Sequence, residues 1–197
     1  NIENNFTDIT LLPMFPQYST TTTLSIFDLV KKIIKKDKKF FSNINIKAIK
    51  DFHDNNFYIK ACASQIKSVQ KYLSKPDKIL FSFHGIPESY INDDEPYQKE
   101  CLNTSLLLAQ ELQLKRNKYE VVFQSRFGKA EWIKPYLSSR LKELPQEGIK
   151  KIHVFCPGFS SDCLETIDEI GRESREEFLE HGGESFDFIP CLNSNEE

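Results

Sequence analysis

Short runs of Ile, Val, Leu and Phe punctuate this chain, and longer amphipathic stretches fill the intervals between them. The runs occupy residues 9–14, 44–49, 79–83, 119–123, 152–155 and 186–189; the helical patterns occupy 22–36, 56–73, 97–114, 132–144 and 163–181. A strand that is apolar along its whole length needs cover on both faces, which parallel sheets obtain from the helices of their crossovers. The pattern therefore predicts an α/β fold of open parallel sheets flanked by helices, built from right-handed βαβ units. It shows no internal repeat and no low-complexity segment.

With 197 residues, 39% of them hydrophobic and 28% charged, the chain has the means for a packed core in one or two domains. A net charge of -3, without interleaved basic and aromatic residues, gives no reason to expect nucleic acid as a partner. The apolar runs are too short to span a bilayer. The start, NIENNFTDIT, lacks the basic and apolar regions of a secretory signal. Five cysteines, at 62, 101, 156, 163 and 191, form no CxxC pair, and their odd number suggests reduced thiols in a cytoplasmic protein. Cys156 and Cys163 match no zinc spacing. Nucleotide-phosphate motifs, a GxSxG elbow and HExxH are all absent from the sequence. The lysine-rich stretch 31–43 is either a domain boundary or a solvated helix end. Taken as a boundary, it divides the chain into a 1–40 remnant of one α/β domain and a 41–197 second domain. Both ends read as cuts in a longer protein.

Ligands of open parallel sheets bind beyond the carboxyl ends of the strands. Those ends read PMFPQYSTTTT, SFHGIPESY, FQSRFGKAEW and FCPGFSSDCLET. Two of them carry a titratable group. His84 closes a strand, where it could act as a base, ligate a metal or simply be hydrogen-bonded at the strand end. Glu165 opens the helix after another strand. Asp162, Glu165, Glu169 and Glu173 follow one another at helical spacing, and like charges so placed repel. That stripe is either a solvated face or a path for a cation. Asp162 could also be an N-cap with Glu165 at N3, and Arg172 could pair with Asp168 and Glu176. On a regular wheel Leu164, Ile167, Ile170 and Phe178 would face the sheet.

In order and interval, the segments ILFSFHGIPESY, DDEPYQKEC, VVFQSRFGKAEW and CPGFSSDCLETIDEI, with LLPMFPQYSTTTT before them and FIPCLN after, resemble a bacterial ferrochelatase over nearly the whole chain. The resemblance implies insertion of Fe²⁺ into protoporphyrin IX, giving protohaem, between two similar Rossmann-like domains. The first half-domain and the closing helix would lie outside this chain. It matches His84 and Glu165 to the family's active-site histidine and glutamate, both candidate metal ligands. It also matches Asp162, Glu169 and Glu173 to further carboxylates that would carry the cation. Ser125 and Trp132 become pocket-side positions, with core packing an equal reading for Trp132. Phe15 is a third pocket-side position, standing where relatives often have a tyrosine that faces the pocket, and Thr20 stands where some have cysteine. The C-terminal cysteine cluster of iron–sulfur members is not seen, Cys191 standing alone, so no cluster is expected. Porphyrin and ferrous iron would be the partners, with a peripheral membrane contact through a lip outside this chain. The sequence carries no signal for oligomeric state. A non-catalytic tetrapyrrole- or metal-binding module and a coproporphyrin-specific chelatase are the alternatives.

Overall fold

The computed structural model describes residues 6–194, so the outermost residues of both expected domains, 1–5 and 195–197, lie outside the description. The chain opens with β1 (Asp8–Leu11). A π-helical turn, Thr20–Leu24, then leads into α1 (Ser25–Lys36) and the short α2 (Lys38–Phe41), and β2 (Asn45–Ala48) comes next. β1 and β2 pair in parallel as a two-stranded sheet, Asp8 opposite Asn45. The lysine-rich stretch is thus part of the helical crossover between two paired strands. A division after residue 40 would cut through this βαβ unit; by sheet membership the first unit runs to Ala48.

Beyond it lie α3 (Asn56–Gln70), β3 (Lys78–His84), α4 (Tyr97–Glu111), β4 (Tyr119–Gln124), α5 (Leu137–Glu143) and β5 (Lys151–Phe155). The chain then passes through α6 (Leu164–Ile167), a π-helical segment Glu169–Ser174, α7 (Arg175–Glu180) and β6 (Ser185–Ile189). The four strands β3 to β6 form an all-parallel sheet in the order β4-β3-β5-β6, the architecture that the continuous apolar runs require. Alternation along β3 fills both faces. Ile79, Phe81 and Phe83 pack with Ile59, Cys62, Ile66 and Leu108 of α3 and α4. Leu80 packs on the other face with Leu141, Ile170 and Phe178. Phe81 and Phe83 are fully buried, so removing either ring should cost about 3–5 kcal/mol.

Two expected helices take a different form. The pattern at 132–144 becomes helical only at Leu137, because Pro135 has no N–H and disfavours helix in the residue before it. Trp132 instead lies in an extended stretch bridged antiparallel to Pro87. The pattern at 163–181 is broken by the π segment, marked by the bond from Glu173 N to Asp168 O at 2.9 Å. One extra residue in the turn rotates the residues before it by about 100° relative to those after it. Ile170 and Phe178 are fully buried as expected, but Leu164 and Ile167, 74% and 60% exposed, do not face the sheet.

Candidate active site

From β3 the chain moves to β4 on one side and then crosses to β5 on the other, so the strand order reverses between β3 and β5. Crevices at such switch points are where open α/β sheets bind ligands. Here the crevice opens into a cleft of about 710 Å³ lined by His84, Glu165, Phe15 and Trp132 among others. That volume lies within the usual range for small-molecule sites. Its lining includes the loop after β1 (Met14, Phe15) and the π turn (Thr21, Thr22), together with Gly85 to Pro87 and Trp132.

His84 is the last residue of β3. Its Nδ1 lies 2.7 Å from the Gly85 carbonyl. A carbonyl only accepts, so Nδ1 carries the proton and the neutral ring keeps its lone pair on Nε2. The Tyr97 hydroxyl donates to the His84 carbonyl at 2.8 Å, and Gly85 N donates to Gln124 O at 2.9 Å, fixing the turn. A Cβ on Gly85 would stand 3.0 Å from both the Gln124 carbonyl and the Trp132 ring. That absence of a side chain lets the indole approach, its centroid 6.3 Å from the imidazole. The buried Trp132 Nε1 has no acceptor among the described residues.

Glu165 follows the N-cap of α6, which is Cys163 rather than Asp162, paired in a capping box with Thr166 rather than Glu165. The Cys163 thiol beside Glu165 and the backbone N–H of Glu165 hold its carboxyl below the ordinary value despite a small opposing effect of burial, and His84 lowers it further whenever its ring is protonated. It is therefore ionised at neutral pH.

The rest of the stripe divides. Asp162 accepts from Asn193 Nδ2 (2.7 Å), Cys191 N (3.2 Å) and the Thr166 hydroxyl (3.0 Å), and lines neither this cleft nor its neighbour. Its carboxylate ties the segment after β6 to the start of α6. Glu169 accepts from Ser125 N at 2.7 Å and Ser125 Oγ at 2.6 Å; the left-handed φ of 62° at Ser125 accompanies both donations. Ser125, Glu169 and Glu173 line a second cavity of about 340 Å³, together with Arg126 and Glu177. Ser125 thus lines the cavity beside the acidic helix and not the cleft lined by Phe15 and Trp132. Arg172 pairs with Asp168 and lies 3.1 Å from Glu173 and 3.7 Å from Glu176, so the outer stripe is partly an ordinary salt-bridged surface.

Sequence reasoning missed Gln124, Tyr97 and Glu177. The Gln124 amide donates to the Glu165 carbonyl at 2.8 Å and its oxygen accepts from Ser82 at 2.8 Å, tying β3, β4 and α6 together. Its position at the end of β4 was the available signal. Among the described residues, ligand atoms of Asp51, His53 and Asp54 also converge within 4.8 Å, outside both cavities.

The family of the chain is read from its sequence relatives. Residues 2–197 match the family model described as Ferrochelatase. The chain is 46% identical over 189 residues, 95% of its length, to a ferrochelatase of Herminiimonas arsenicoxydans, of which it covers 50%. It is 44% identical over 195 residues to a ferrochelatase of Hydrogenovibrio crunogenus, covering 99% of this chain and 51% of that protein. With a ferrochelatase of Idiomarina loihiensis it shares 46% identity over 184 residues, 93% of this chain and 50% of the relative. The chain spans about half the length of the curated relatives it matches. A family match over nearly every residue, joined to a switch-point cleft that holds a strand-end histidine and a helix-start carboxylate, places this chain in the ferrochelatase family.

Proposed function

We propose that the whole protein inserts ferrous iron into protoporphyrin IX to form protohaem, the terminal step of haem synthesis, and that His84 and Glu165 are its central residues. The observation that carries this is their meeting in one cleft whose remaining walls are largely apolar, suited to a flat aromatic macrocycle. A pyrrole nitrogen must lose its proton before it binds metal. The Nε2 lone pair of His84 can receive that proton, and ionised Glu165 stabilises the resulting imidazolium. Phe15 and Trp132 supply apolar wall, while Ser125 acts on Glu169 rather than on the porphyrin. The cation would approach along Glu173 and Glu169, and imidazole with carboxylate is a donor set that Fe²⁺ accepts. Asp162, already holding three donors, serves the fold. In this reading the two sheets belong to two domains of a larger cytoplasmic enzyme without an iron–sulfur cluster, and this chain by itself is inactive.

In the whole protein, His84→Ala and Glu165→Gln should each lower porphyrin metallation by at least about 100-fold, the span of acid–base assistance, while leaving porphyrin affinity nearly unchanged. Insertion retained in both variants would sink the assignment. Comparing initial rates with protoporphyrin and coproporphyrin tests the substrate; faster coproporphyrin metallation would replace the protoporphyrin assignment. Acid-labile sulfide in the purified whole protein would contradict the absence of a cluster.

A further inference from the structure

The wall formed by residues 14–22 lies between β1 and α1, outside both sheets, so no strand pairing fixes its distance from His84. Hydrogen bonds to other elements hold it instead. Phe52 N donates to the Pro16 carbonyl at 3.0 Å. Gln17 Nε2 donates to the Thr104 hydroxyl at 3.0 Å and the Pro157 carbonyl at 3.2 Å. Two buried carboxylates also accept from it. Glu100 Oε2 accepts from Tyr18 N at 2.6 Å. Glu95 does more: one oxygen, Oε2, accepts from Ser19 Oγ (3.0 Å), Thr20 N (2.8 Å) and Thr20 Oγ1 (2.6 Å). Its other oxygen accepts from Tyr97 N at 3.3 Å at the start of α4, and the Tyr97 hydroxyl donates to the His84 carbonyl. A hydrogen-bonded line therefore runs from the π turn through Glu95 and Tyr97 to the strand end that carries the imidazole.

Glu95 is only 3% exposed and forms no ion pair among the described residues. Burying a carboxylate without a cation is costly unless hydrogen-bond donors surround it. Here the donors belong to two separate parts of the cleft, and charge-assisted bonds of this kind are strong and directional.

We infer that Glu95 is a positioning residue, setting the spacing between the wall at 14–22 and His84. The inference rests on the chelatase reading for its effect on rate, though not for its effect on His84.

The test uses Glu95→Ala, Glu95→Gln and Tyr97→Phe in the whole protein, with two readouts. The first is metallation at saturating porphyrin. A displacement of about 1 Å in a site can cost about 100-fold, so Glu95→Ala should lose kcat on that scale with KM changed far less. Glu95→Gln, which keeps an acceptor for Thr20 N, should recover most of the loss. The double variant Glu95→Ala with Tyr97→Phe should lose little more than the larger single loss, because both break one line. The second readout is the His84 ring nitrogen resonance, which should move in Glu95→Ala and in Tyr97→Phe. An unmoved resonance in Glu95→Ala, or a lower melting temperature with unchanged kcat, overturns the inference. If Glu95→Ala does not fold, Tyr97→Phe and Glu95→Gln decide it by the same resonance. A wild type that metallates nothing refutes the chelatase reading, and the resonance then still judges the positioning role.

Discussion

At the scale of single residues, the site depends on what surrounds His84 as much as on the histidine. Gly85 is the clearest case. Its missing Cβ leaves room for the Trp132 ring on one side and the Gln124 carbonyl on the other. Gly85→Ala should therefore push the indole outward and shift the turn that accepts from Nδ1. We expect kcat/KM for metallation to fall about tenfold or more, with the melting temperature lowered by only a few degrees; an unchanged kcat/KM would show the contact to be slack. His84 and Glu165 were both legible in the sequence, because parallel strands send their ends to one edge. The division of labour among the other carboxylates was not. Asp162 and Glu169 look alike on a helical wheel, yet one is held by Asn193 and the other by Ser125, partners distant in sequence.

The elements show a similar division. Strands buried on both faces advertise themselves as unbroken apolar runs, so the parallel α/β architecture could be read directly, whereas the division of the six strands into sheets of two and four could not. The π segment at Glu169–Ser174 leaves no such signature, since one additional residue in a turn does not alter composition. Its effect is nevertheless large, for it turns Leu164 and Ile167 outward and sets Glu165 at the cleft. Deleting Gly171, inside that segment, should restore an ordinary helical register. Glu165 would then rotate by about 100° relative to α7. The whole protein should keep its far-ultraviolet circular dichroism and its porphyrin affinity while metallation drops toward the level of Glu165→Gln. Full activity in the deletion variant would show that the π register has no part in placing the carboxylate.

For the molecule as a whole, acid should loosen the sheet from a defined point. Asp77 accepts from Lys150 N and Lys151 N, both at 2.9 Å, joining the turn before β3 to the start of β5. The two N–H groups hold its carboxyl below the ordinary 3.8. Because the folded value is depressed, the contribution to stability is present above 3.8 and is lost as pH falls through the lower folded value. Asp77→Asn should flatten this part of the acid limb in urea unfolding; an identical limb would show the contact to be energetically silent. No helix among the described residues is long and apolar enough to cross a membrane. Turnover is what separates a chelatase from a protein that merely binds its porphyrin. It is read by zinc insertion into a water-soluble porphyrin by the whole protein, monitored through fluorescence, with His84→Ala alongside. The expected result is many equivalents of metalloporphyrin per protein, reduced to background by the substitution. Tight porphyrin binding that never exceeds one equivalent of product would refute catalysis, and would make the cleft a tetrapyrrole-binding site.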